Sequence, residues 1–207
     1  MNAYNGKLVN KYPITNTFMF YQKYNPSIAI NVSIMRQGGV VAYPTEAVWG
    51  FGCDPYNNKA VKKIFALKQR DPGKGLILVA ATMKQLSPYL TKINSQQRDQ
   101  LEKTWPGPVT WLVPNNGSIP SWISGDFSSV ALRVSAHPYV HDLCKAFGGP
   151  IVSTSANPQG KPAPRYRWQV CRYFNQSVYL DNIATGCVGN RQQPSEIRDL
   201  ISGEIIR

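Results

Sequence analysis

Acidic residues are scarce in this 207-residue chain: 11 Asp and Glu stand against 23 Lys and Arg, a formal charge of +12, and none precedes Glu46. That imbalance far exceeds what solubility requires and points to a polyanionic partner, a nucleotide or RNA. Histidine is nearly absent as well. His137 and His141 have metal-like spacing but no further ligands to complete a site, and His137 before Pro138 reads better as a helix cap. A Ser-His-Asp or Cys-His nucleophile system is therefore not indicated. The four cysteines, Cys53, Cys144, Cys171 and Cys187, form no C-x-x-C pair; this argues against a zinc ribbon, a redox motif or a secreted disulfide framework and favours a reducing cytoplasm. No apolar run is long enough to span a membrane, and the first two dozen residues lack a signal peptide's apolar core. Phosphate-loop signatures are missing too. No G-x-x-x-x-G-K-[ST] occurs, and Gly50-Phe51-Gly52 does not continue to G-x-G-x-x-G, so a bound nucleotide must be held by side chains.

What is present is core material. Apolar residues make up 43% of the chain and charged residues 16%, enough for one large core and too little charge for disorder. No repeat or low-complexity tract divides the chain, which predicts an arm over residues 1–25, Asn-, Lys- and Tyr-rich, followed by one domain over 26–207. Strand patterns fall at Val40–Tyr43, Leu76–Ala80, Val109–Val113, Val130–Val134, Ile151–Ser153, Val178–Leu180 and Glu204–Ile206. Helical spacing falls at Ile28–Arg36, Asn58–Lys68, Met83–Leu90, Gln96–Thr104, Tyr139–Phe147 and Glu196–Ile201. The alternation predicts an α/β class: a single twisted mixed sheet covered by helices.

Three segments carry candidate chemistry. In the helix from Asn58, Lys68 falls on the same side as Val61 and Ile64, and a lysine on a buried face needs an anion unless it snorkels to solvent. The break at Asp71-Pro72-Gly73 lets Lys68, Arg70 and Lys74 turn toward one spot, a triphosphate site. The strand ending at Tyr43 empties into Pro44-Thr45-Glu46, which places Thr45 to hydrogen-bond a small polar substrate or simply to shape a turn. The strand from Ile151 ends in Ser153-Thr154-Ser155-Ala156-Asn157, donors that are costly to bury without a ligand or a backbone partner. Two basic stretches, Lys59–Lys74 and Lys161–Arg172, read equally as ligand-facing or solvated surfaces.

Six motifs occur in order: Pro44-Thr45-Glu46; Lys68-x-Arg70 with Lys74-Gly75-Leu76; Trp105-Pro106-Gly107-Pro108-x-Thr110; Ala131-Leu132-Arg133-Val134; Ser153-Thr154-Ser155-Ala156-Asn157; and Pro194-Ser195-Glu196-Ile197-Arg198. Together they resemble the Sua5/YciO/YrdC family over residues 27–207. The resemblance implies an α/β fold with a basic concave cavity and a nucleotidyltransferase reaction, in which L-threonine, bicarbonate and ATP give L-threonylcarbamoyladenylate and pyrophosphate. Mg2+ would enter with ATP, and a separate tRNA threonylcarbamoyl transferase complex would use the product. By this match Lys68 and Arg70 are catalytic and, with Lys74, Thr110, Ser153, Ser155, Asn157 and Arg207, bind ATP; Thr45, Arg133 and Ser195 bind threonine. An RNA-binding module, contacting tRNA or another RNA, is the alternative that the net charge supports. A carbamoyl-transfer domain of hydrogenase maturation shares the implied fold, but its zinc-binding and acylphosphatase segments have no counterpart here.

Overall fold

Strict alternation of buried and half-buried positions along Ser129–Val134 marks a strand with different surroundings on its two faces. That strand lies near the middle of an eight-stranded sheet in a computed structural model that describes residues 25–207. In chain order the elements are α1 (Pro26–Arg36), β1 (Val41–Pro44), β2 (Trp49–Gly52), α2 (Asn58–Lys68), β3 (Ile77–Ala80), α3 (Met83–Leu86), α4 (Ser95–Thr104), β4 (Val109–Pro114), α5 (Ser121–Ser124), β5 (Ser129–Val134), α6 (Pro138–Phe147), β6 (Ile151–Ser155), α7 (Arg167–Phe174), β7 (Asn182–Ile183) and β8 (Glu196–Asp199). The strand order is β7-β1-β2-β6-β3-β5-β4-β8. The sheet is mixed: β3 pairs parallel to β5, β1 to β7 and β4 to β8, and the remaining pairs are antiparallel.

The register assigns the two faces opposite roles. Trp111, Leu132, Leu78 and Val152 are cross-strand neighbours, and all are buried. On this side α6 packs on β1 and β3, with α1 against α6 and β1. The next row, Leu112, Ala131, Ile77 and Ser153, is half-buried and floors a cavity on the other face. A period of two thus separates core from site within the same strands.

The mixed α/β class agrees with the sequence reading, and four local readings change. The helix expected over Met83–Leu90 stops at Leu86 and tightens into a 3-10 turn over Ser87–Tyr89, because Pro88 supplies no N–H to continue it. Glu196–Asp199, expected to begin a helix, is edge strand β8 beside β4; pairing along an open sheet edge overrides a weak helical pattern. Ser195 is therefore not a helix cap. Of the strand expected at Glu204–Ile206 only a bridge from Ile205 to Arg198 forms. Val178–Leu180 is a turn with Val178 exposed, and the pairing segment comes later, at Asn182–Ile183. Three elements lacked a sequence signal, one of them the single-turn helix α5. β2 reads as a glycine-rich loop, yet Gly52 is required because an added Cβ would lie 2.6 Å from the Tyr43 ring and 2.9 Å from the Val152 carbonyl. Helix α7 begins within the basic stretch Lys161–Arg172 and ends two residues beyond it. His137 does occupy the N-cap of α6, but its side chain makes no capping bond. The arm assigned to residues 1–25 lies outside the described residues except for Asn25, whose side chain caps α1 by accepting from the Ser27 N–H.

Gly75 shapes the segment that leads from α2 into β3. Its φ of 58° and ψ of 177° belong to a region that only glycine occupies cheaply, and an added Cβ would lie 2.8 Å from the Ser124 carbonyl. Gly75→Ala is expected to cost about 1–3 kcal/mol of stability, read as a lowered midpoint in thermal unfolding followed by circular dichroism.

Candidate active site

The cavity, of about 370 Å3, lies over the floor row between the β1–β2 turn, the segment after α2, α5 and the C-terminal segment. Five bases line it, Arg70, Lys74, Arg133, Arg191 and Arg207, against one acid, Glu46.

Helix α2 ends at Lys68 because Gln69 turns left-handed, with φ of 50°. The reversal separates Lys68 from Arg70. Lys68 is buried and faces the loop after β6, donating to the Ser155 carbonyl, to Ser155 Oγ at 3.3 Å, to the Asn157 carbonyl at 3.0 Å and to Asn157 Oδ1 at 3.3 Å. The sequence reading expected an anion against this buried ammonium; its partners are neutral oxygens. Burial, reinforced by the Arg70 charge, pulls its pKa down to about 8. Arg70 turns the other way and lines the cavity. Its Nη2 donates to the Lys74 and Gly75 carbonyls at 3.0 and 3.1 Å, while Nε is buried without a partner. Burial and then the positive charge of Arg207 hold its pKa below the ordinary value. Four like charges, Arg70, Lys74, Arg191 and Arg207, thus line one cavity in which Glu46 is the one acid; Asp71, outside the lining, offsets part of the charge around Arg70.

Glu46 and Arg133 form the other charged group. Arg133 Nη2 lies 2.6 Å from Glu46 Oε2, with both side chains largely buried, and Arg133 Nε donates to the Gly107 carbonyl at 3.0 Å. Glu46 Oε1 accepts from Ser135 Oγ at 2.8 Å and from the Ala136 N–H at 3.0 Å. Burial alone would raise the Glu46 pKa; the Arg133 charge and the Ser135 bond outweigh it and hold it below the usual value. His137 sits nearby with a buried, unpartnered Nδ1, its pKa lowered mainly by burial.

Hydroxyls complete the wall. Thr45 lines the cavity while its Oγ1 donates to the Val48 carbonyl at 2.7 Å, so it both shapes the β1–β2 turn and faces the space. Ser153 and Ser155 project from β6. Ser195 accepts from the buried Thr110 Oγ1 at 3.0 Å, and the Ser195 carbonyl accepts from Arg207 Nη2 at 3.4 Å.

Of the candidate site residues, Thr45, Arg70, Lys74, Arg133, Ser153, Ser155, Ser195 and Arg207 line one cavity. Lys68, Thr110 and Asn157 stand behind that wall: Lys68 and Asn157 brace the Ser155 loop, and Thr110 braces Ser195. The residue-level reading assigned no role to Glu46, Arg191 or Phe127, all of which line the cavity. Glu46 carried a signal, as the first acid of an acid-poor chain; an exposed arginine and phenylalanine carried none. Among the described residues no three His, Cys, Asp or Glu gather as a metal site, and no helix is long and apolar enough to cross a membrane.

Comparison with known proteins places this geometry. The Sua5/YciO/YrdC profile, described as telomere recombination, matches residues 33–207. A threonylcarbamoyl-AMP synthase of Cellvibrio japonicus (strain Ueda107) is 55% identical over 183 residues, 88% of this chain and 96% of that one. Among solved structures, P. abyssi Sua5 complexed with L-threonine matches with a TM-score of 0.80 at 31% identity, over 87% of this chain and 53% of that one. This chain therefore spans about half the length of the Sua5 protein. E. coli YciO shares the fold, with a TM-score of 0.78 at 24% identity and 89% of each chain covered. With a profile match over most of its length and a relative more than half identical across nearly the whole of both chains, this chain belongs to the Sua5/YciO/YrdC family.

Proposed function

We propose that this chain is a cytoplasmic nucleotidyltransferase that makes L-threonylcarbamoyladenylate and pyrophosphate from L-threonine, bicarbonate and ATP, supplying the adenylate to a tRNA threonylcarbamoyl transferase complex. The observation that carries the reading is a cavity with four cations, Arg70, Lys74, Arg191 and Arg207, beside a separate Glu46–Arg133 pair that holds the one acid of the lining, in a chain 55% identical to a threonylcarbamoyl-AMP synthase. The chemistry asks little covalent work of the protein. The threonine amine takes up CO2 with loss of a proton, or bicarbonate with loss of water, as an N-carboxylate, whose oxygen attacks the α-phosphorus as the bond to pyrophosphate breaks. Holding two anions together and stabilising charge on the phosphates is the task, and fixed cations in a partly dehydrated cavity perform it.

Arg70, Lys74 and Arg207 are suited to the phosphates, Arg133 to the threonine carboxylate, and Thr45 and Ser195 to its polar groups. Ser153 and Ser155 offer hydroxyls to the nucleotide. Lys68 and Asn157 act by holding the Ser155 loop, and Thr110 by holding Ser195. Mg2+ arrives as part of the nucleotide substrate, because the cavity lining offers a single carboxylate, Glu46, already paired with Arg133, and phosphate and water supply its ligands.

A second role has its own observation. Tyr166 and Trp168, 60% and 59% exposed, are stacked with centroids 6.4 Å apart and planes within 10°, inside the stretch Lys161–Arg172 that holds four bases and no acid. Exposed aromatic faces among cations suit the bases and phosphates of single-stranded RNA. Trp168→Ala is expected to weaken binding of a single-stranded RNA, equivalent to about 1–3 kcal/mol, and to leave adenylate synthesis unchanged. Fluorescence anisotropy and turnover on the same protein check both halves.

Two outcomes test the enzymatic reading. Arg70→Ala should keep the fold by circular dichroism and lower adenylate formation, followed by mass spectrometry, by about 100-fold or more, the scale of losing one charge-stabilising donor. Activity near that of the parent would count against a phosphate role for Arg70. The second concerns pH. Lys68 needs its proton to brace the Ser155 loop, and its pKa is lowered to about 8, so the brace is present below pH 8 and is lost as pH rises through it. With ATP and threonine below saturation, kcat/KM should fall on that alkaline limb, and a rate that stays flat or rises to pH 9.5 would contradict the brace.

A further inference from the structure

We propose that Glu46 is a positioning residue for the amino-acid substrate: it fixes Arg133 and neutralises that end of the cavity, dividing the space into a charge-paired part for a zwitterion and a cation-rich part for the polyphosphate. The inference rests on the reaction proposed above and adds to it a residue and a division of labour.

The geometry of Arg133 carries the first half. A guanidinium has a side edge, formed by Nε and one Nη, and an end edge formed by the two Nη atoms. Here the side edge is occupied: Nε donates to the Gly107 carbonyl and Nη2 to Glu46. The Nη1 hydrogens and the second hydrogen of Nη2 remain for an incoming carboxylate, a bidentate arrangement that a rotating side chain would offer only part of the time. Glu46 is itself immobilised, with Oε1 held by Ser135 Oγ and the Ala136 N–H. Ser135 is buried and follows β5 directly, so the chain that carries Arg133 also supplies the hydroxyl that orients its partner. The whole unit is anchored to the sheet.

Charge carries the second half. Glu46 is the one acid among the cavity-lining residues, and it stands against Arg133, while Arg70, Lys74 and Arg207 have no acid in the lining beside them, only Asp71 outside it acting on Arg70. Arg191 meets Glu46 through its backbone, its N–H donating to the Glu46 carbonyl at 3.2 Å. A polyanion is drawn to the unpaired cations; at the Glu46–Arg133 end an anion meets a nearly neutral pair and a carboxylate that repels it. An amino-acid zwitterion fits that pair instead, its carboxylate toward Arg133 and its amino group toward Glu46. The carboxylate that attracts the amine also keeps ATP phosphates away from this end. Proton removal from the substrate amine is not its role, because its pKa lies below the usual carboxylate value, which makes it a weak base.

The experiment compares Glu46→Gln with the parent by isothermal titration with L-threonine, by titration with ATP, and by steady-state KM for each. The glutamine keeps the size and one acceptor while removing the charge. The expected result is threonine affinity weakened about 10-fold or more, ATP affinity within about twofold, and an unchanged circular dichroism spectrum. Equal losses for both ligands in a folded protein would show a general disturbance of the cavity and overturn the inference, as would unchanged threonine affinity. Should Glu46→Gln fail to fold, Ser135→Ala retains the ion pair and removes one of the two hydrogen bonds to Oε1; it should weaken threonine binding by a smaller factor with ATP unaffected, and no difference from the parent would equally overturn the inference. Failure of the proposed reaction reads differently: the parent itself would neither bind threonine nor make the adenylate.

Discussion

One buried ammonium joins the parts of the chain on which the site depends. Lys68 is the last residue of α2, and its four oxygen partners belong to Ser155, the last residue of β6, and to Asn157 just after it. Three hydrogens donated by a charged group are worth roughly 1.5–3 kcal/mol each, and removing an ammonium from water costs several kcal/mol. The net contribution to stability is therefore small, and what the interaction supplies is position. It holds the end of β6 so that Ser153 and Ser155 face the cavity, and it sets the start of the Gln69 reversal that sends Arg70 across to the other wall. The negative end of the α2 dipole favours the charge where it lies.

Around that joint the sheet and the charges arrange themselves consistently. Residues of one register row, Trp111, Leu132, Leu78 and Val152, seal the helix-covered face, while the row shifted by one residue floors the cavity. The walls come from segments that leave the strands: the β1–β2 turn with Thr45 and Glu46, the glycine-dependent segment carrying Lys74, and the C-terminal segment folded back along β8, with Ile197 donating to the Arg207 carbonyl at 2.9 Å. Cations gather with an acid at one place and without one at another. Like charges in a shared cavity destabilise the empty protein slightly and favour a polyanion that relieves them; burial first, and then the Arg207 charge, holds the Arg70 pKa below its ordinary value.

Much of this was legible in the chain before folding. The apolar runs at Val109–Val113 and Val130–Val134 and the helical spacing of Asn58–Lys68 specify their elements because burial on one face leaves a period that local sequence must carry. Lys68 on the buried side of α2 followed from the same period. Its partner did not. Ser155 and Asn157 are 87 and 89 residues away, and nothing local distinguishes a carbonyl cluster from a phosphate. Strand β2 was hidden because alternating glycines, of which Gly52 admits the Tyr43 ring and the Val152 carbonyl, look like a loop. Strand β8 was hidden because its pairing with β4 is a property of an unoccupied sheet edge.

The sequence by itself determined the α/β class, the core-facing positions, the acid-poor charge that calls for a polyanion, and the family to which six ordered motifs belong. Each is written in composition, in local period or in motifs of a few residues. Tertiary structure alone decided which candidates share a cavity and which stand behind its wall, because that depends on register and on a single left-handed residue, Gln69. It also decided that Glu46 pairs with Arg133 and not with Arg70 or Arg207. Coulomb attraction between any of these ions is similar at equal distance, and only the folded chain sets the distances.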